Sequence, residues 1–147
     1  MPLLQISYTP PSHGWLALTL TLDGKVLEID ASDIPNNPVQ ELITALEDIV
    51  RGQDSSVWWN LEPAGYFMYF ERAAENLKLR IEYADDGMPG HAKEVAVIQG
   101  RPAQILKPFW RFLREFQSQA FAEPHWPLVD YQRLHQIKLL LDAKTTD

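Results

Sequence analysis

The stretch Trp15–Leu22 alternates without a break, so Leu16, Leu18, Leu20 and Leu22 fall on one side of an extended chain and Trp15, Ala17, Thr19 and Thr21 on the other. Asp23-Gly24 follows, a pair that tolerates the positive φ a two-residue type I′ turn demands at both positions. The returning segment Lys25–Asp30 then has its register fixed: Leu22 opposes Lys25, Leu20 opposes Leu27 and Leu18 opposes Ile29, with apolar residues matched on one face. Leu3–Tyr8 is expected to add a third strand, reached through a loop over Thr9–Gly14 with its proline pair.

Helical spacing takes over at Asn37. Asn37 suits the N-cap and Pro38 the first helical position, while Val39, Leu42, Ile43, Leu46, Ile49 and Val50 recur on one side before Gly52 stops the run. Three further strands are predicted as a meander, Val57–Glu62, Tyr66–Arg72 and Leu77–Tyr83, broken at Pro63-Ala-Gly65 and Ala74-Glu-Asn76 and ended by Asp85-Asp-Gly87. Ala92–Ile98 reads as another strand. A helix carries Ile105, Leu106, Phe109, Leu113, Phe116 and Ala120, with Pro108 expected to kink or begin it, and a final helix spans Val129–Leu141. The predicted fold class is α+β: a mostly antiparallel sheet of six to seven strands, with one inserted helix and two C-terminal helices on one face, and residues 1–147 as a single domain. No alternating βαβ unit points to a doubly wound nucleotide-binding sheet.

A chain of 147 residues with 46% hydrophobic side chains is long enough to bury roughly 70% of its unfolded surface. With no cysteine, disulfides, thiolate metal sites and a cysteine nucleophile are excluded. The start, MPLLQISYTPP, lacks the basic region and unbroken apolar run of a signal peptide, and no apolar run spans a bilayer, so a cytoplasmic protein with no membrane partner is expected. Charge changes the picture more. The net charge is −7, and residues 23–54 hold eight acids against only Lys25 and Arg51, whereas residues 101–142 hold six bases against four acids. Nucleic acid is a poor match for most of such a surface; a basic protein is the better electrostatic partner. Oligomeric state cannot be read from these patterns.

Chemistry-bearing motifs are absent. His13, His91, His125 and His135 are scattered, with no pair at helical ligand spacing, so no metal site, catalytic residue or cofactor is assigned. No Gly-x-Gly-x-x-Gly, phosphate-binding or Gly-x-Ser-x-Gly signature is present. Asp85-Asp86-Gly87 is explained by turn formation alone. The most unusual feature is aromatic: Trp58, Trp59, Tyr66, Phe67, Tyr69 and Phe70 crowd two adjacent strands, with Trp58 and Trp59 on opposite faces. Trp59, Tyr66, Tyr69, Phe109 and Trp110 could line an aromatic cavity between sheet and helices, which defines an alternative function, a small-molecule binder or enzyme.

The segment Trp59–Arg72, followed by Asn76–Tyr83, resembles small bacterial α+β proteins of unassigned function, among them immunity proteins of contact-dependent and polymorphic toxin systems. That resemblance implies a non-enzymatic cytoplasmic inhibitor that binds a cognate toxin domain, often a basic nuclease. The acids placed to meet such a partner are Glu41, Glu47 and Asp48 on the predicted helix and Asp85 and Asp86 in the turn. A secretion chaperone or assembly factor is a third expectation, since small acidic domains also serve there.

Overall fold

The computed structural model describes residues 2–145. Among the described residues seven strands and three α-helices form, but the strands divide into two antiparallel sheets instead of one. Sheet 1 takes β1 (Leu4–Ser12), β2 (Trp15–Leu22) and β3 (Lys25–Ser32) in chain order. Sheet 2 takes β4 (Ser55–Asn60), β5 (Gly65–Ala73), β6 (Asn76–Ala84) and β7 (Lys93–Gly100), also in order. Between the sheets in sequence lies α1 (Pro38–Val50), and α2 (Pro102–Ser118) and α3 (Leu134–Thr145) follow them. The division has a simple cause: alternation encodes which face of a strand is apolar, and two short sheets with inward apolar faces satisfy it as well as one broad sheet.

The β2–β3 hairpin has the register its turn dictates, Leu22 with Lys25, Leu20 with Leu27 and Leu18 with Ile29. Asp23 and Gly24 both take positive φ, 49° and 88°. The expected loop at Thr9–Gly14 is a strand through Ser12 with a bulge between Thr9 and Ser12, and only His13 and Gly14 turn, at φ 52° and 84°. Prolines are tolerated there because β1 is an edge strand and its N–H groups need not all be paired. Gly14, at φ 84°, holds a left-handed backbone that strains any side-chain-bearing residue, and a Cβ there would also have to displace the Asp33 carboxylate, 2.6 Å away.

Asn37 caps α1 as its composition predicts, its Oδ1 accepting from the N–H groups of Val39 and Gln40 at 3.2 and 3.3 Å. Helix α2 already begins at Pro102 and continues through Pro108, and α3 begins five residues later than Val129, because residues 119–133 pack irregularly: Trp126 and Val129 are buried, and Gln40 exchanges hydrogen bonds with the Asp130 backbone. Inward residues of both sheets join α1, α2 and α3 in one continuous core. Helix α2 bridges the sheets: Phe112 meets Tyr8 of β1 at a ring separation of 5.2 Å, and Phe109 meets Phe70 of β5, also at 5.2 Å. Among the described residues, no helix is long and apolar enough to cross a membrane.

Candidate functional site

The acids on α1 are drawn into the protein's own structure to different degrees. Glu41, in the first turn, accepts the Trp58 N–H at 2.8 Å through one carboxylate oxygen and the Asn36 side-chain amide at 2.7 Å through the other. The same Asn36 amide donates to the Trp58 carbonyl at 2.9 Å. Trp58 lies on the outermost strand of sheet 2, so Asn36 and Glu41 together occupy backbone groups that an edge strand would otherwise leave open. Glu47 is 19% exposed and sits 3.7 Å from both Arg51 and Arg133. Asp48 is half-buried at the helix end, where its carbonyl accepts from Arg51 and Gln53.

Asp85 and Asp86 are exposed in the turn after β6. Asp86 accepts the Met88 N–H at 3.0 Å and pairs with His91 Nδ1 at 2.6 Å. The His91 hydrogen bond, aided by the Met88 N–H, holds the Asp86 carboxyl below its usual range. The five acids expected to form a partner surface are thus divided between α1 and this turn, and three of them, Glu41, Glu47 and Asp86, already have partners inside the fold.

The aromatic candidates are divided too. Trp59 and Phe109 are fully buried core residues. Tyr66 is half-buried and packs on Tyr83 at 4.9 Å. Tyr69 alternates onto the opposite face of β5, where the Arg80 guanidinium stacks over its ring at 4.3 Å and is itself held by Glu71 and Glu82. Trp110 donates its indole N–H to the Leu134 carbonyl at 2.9 Å, with Lys138 above the ring. Tyr69 therefore cannot share a cavity with Trp59.

Two features escaped the linear reading. His13 and His125 meet edge to face at 4.9 Å, and the His13 backbone N–H donates to His125 Nδ1 at 3.3 Å. Among the described residues no three metal-ligating side chains converge. The second is the outer face of sheet 1. Trp15 (39% exposed), Ala17, Thr19 and Thr21 lie there beside Val26 (56% exposed), Glu28 and Asp30, and β1 extends the face with exposed Gln5, Ser7 and Thr9. Thr19 faces Glu28 and Ala17 faces Asp30, so small residues leave both carboxylates standing clear. Neither forms an ion pair among the described residues. The only Lys or Arg in the three strands, Lys25, alternates onto the other face, and its ammonium reaches the Val95 carbonyl. Alternation alone contained this face; what it did not contain was that the core lies against the other side.

No protein family, curated protein or solved structure matches this chain.

Proposed function

We propose that the protein is a non-enzymatic binding module that docks a basic protein on the outer face of sheet 1. The carrying observation is the composition of that face: exposed Trp15 and Val26 beside unpaired Glu28 and Asp30, with no cationic side chain from any of its three strands. Apolar anchors supply contact area, and unpaired carboxylates supply attraction and orientation. A sheet face is also rigid, so little ordering is lost on binding. The partner this chemistry suits best is a compact cationic domain, such as a nuclease-type toxin, whose phosphate-binding surface the acids would occupy. In that role the protein neutralises the toxin by covering its active surface.

The test is calorimetric titration against cationic domains encoded beside its gene, with the wild type and a Glu28→Lys/Asp30→Lys variant at low and high salt. Wild-type affinity is expected to fall with salt, and the double variant to bind at least about tenfold more weakly. Equal affinity of the two proteins for a partner that does bind would remove this face from the proposal.

A further inference from the structure

The four sheet edges are not treated alike. At β4, the Glu41 and Asn36 side chains engage the N–H and C=O of Trp58. No such device protects β1. The Asp23 N–H donates to the Leu3 carbonyl at 2.8 Å, which sets the phase of the β1–β2 ladder. Gln5, Ser7 and Thr9 are then the residues bonded to Thr21, Thr19 and Ala17, and the N–H and C=O groups of Leu4, Ile6 and Tyr8 point away from β2, to the free edge. Among the described residues no side chain or backbone group from elsewhere in the fold caps them.

Beside that edge lies a hollow of about 480 Å³. Its walls are β1 on one side and Pro108, Arg111, Phe112 and Glu115 of α2 on the other. It continues past Leu3 to Ala103, Gln104 and Lys107 as a second hollow of about 240 Å³. The charges are ordered along it. Arg111 is exposed and has no ion pair among the described residues, and Lys107 has only a 3.8 Å contact with Asp142. At the other end Glu115 interacts with the Tyr8 hydroxyl, and burial together with this carboxylate raises the Tyr8 phenol above its ordinary value.

We propose that this channel accepts an extended peptide, which adds a strand to β1 and carries apolar residues for the Phe112–Pro108 floor and an acidic residue for Arg111 and Lys107. Open ladder groups over at least three residues provide the pairing, and alternate side chains of the added strand fall toward α2. The charge argument selects an acidic peptide: α2 lies in the one stretch of the chain with an excess of bases, and its unpaired cation lines the channel. A second copy of the chain pairing through β1 would bring another net charge of −7 against the first, which disfavours it as the occupant.

The test uses fluorescent octapeptides of alternating valine and polar residues with one aspartate, followed by anisotropy on the full-length protein. The expected result is saturable binding that weakens at least about fivefold with Arg111→Glu or with lysine replacing the peptide aspartate. Methylating alternate peptide amides is expected to abolish it, because the ladder donors are then lost. Arg111 is exposed, so its variant leaves the core intact, and circular dichroism verifies this. Binding indifferent to amide methylation or to Arg111→Glu overturns the proposal, as does absence of binding at millimolar peptide. A concentration-dependent dimer in sedimentation that excludes the peptide overturns it in favour of a second copy. None of these outcomes depends on whether Glu28 and Asp30 contact a basic partner.

Discussion

Glu41 and Asp48 are both acids on one helix, yet their side chains do different work. Glu41 receives two hydrogen bonds, from the Trp58 backbone and the Asn36 amide, and its removal leaves both donors short of a partner. Glu41→Ala is expected to lower unfolding free energy by about 1.5–3 kcal/mol, as for hydrogen bonds to charged groups, and Asp48→Ala by about 0.5 kcal/mol or less. Urea denaturation checks both; similar losses for the two would contradict the assignment of Glu41 to edge closure. Tyr131 gives a pH signature. Burial, with a smaller contribution from Tyr8, pushes its phenol up to about 12 from an ordinary 10. Because the folded state holds this proton more tightly than the unfolded chain, its contribution is intact below about pH 10 and is lost as pH rises toward 12. An absorbance titration should show a late-ionising tyrosine that is missing from Tyr131→Phe, and that variant should lose less stability across the same interval. A Tyr131→Phe alkaline limb as steep as the wild type's would refute the assignment.

Elements were legible in the sequence wherever one local rule dominates. Asp23-Gly24 sets the β2–β3 register because only a two-residue turn fits it, and Asn37-Pro38 marks the α1 start because cap and first turn have distinct requirements. What local rules miss is context. Pro10 and Pro11 read as a loop, yet an edge strand with a bulge absorbs them. The last helix is expected from Val129 but starts at Leu134, because Val129 and Tyr131 are held against the core by an irregular segment anchored at Gln40. The candidate site was harder to see, since Glu28 and Asp30 gain meaning only when the opposite face of their strand is known to be covered. Helix α2 shows the consequence of such context. Phe109, a plausible cavity wall by type, is instead 2% exposed and packs on Phe70 across the sheet–helix boundary. Phe109→Ala is expected to cost about 3–5 kcal/mol, because it empties a site that α2 needs to bridge both sheets. A loss below about 1 kcal/mol in a denaturant titration would mean that the site collapses or was never tightly packed.

At the scale of the molecule, charge is segregated: the acids of β3 stand on one outer face, while Arg111 and Lys107 of α2 line a channel beside β1. Several acids elsewhere are matched, Asp54 by Arg72, Glu71 and Glu82 by Arg80, and Asp142 by Lys138. The excess behind the net charge of −7 is therefore concentrated among acids such as Glu28 and Asp30 that no cation screens. Like charges on one face repel most when solvent ions are scarce. Between about 10 mM and 150 mM ionic strength the screening length falls from about 30 Å to about 8 Å, so the wild-type melting midpoint is expected to rise across this range. Glu28→Lys/Asp30→Lys removes two negative charges and adds two positive ones, which takes the net charge from −7 to −3 and should flatten the rise. Scanning calorimetry at several salt concentrations measures this without any partner. If the double variant melted with an undiminished salt dependence, the unscreened acids of sheet 1 would not dominate the molecule's field, and they would have no special capacity to draw a cationic domain to that face.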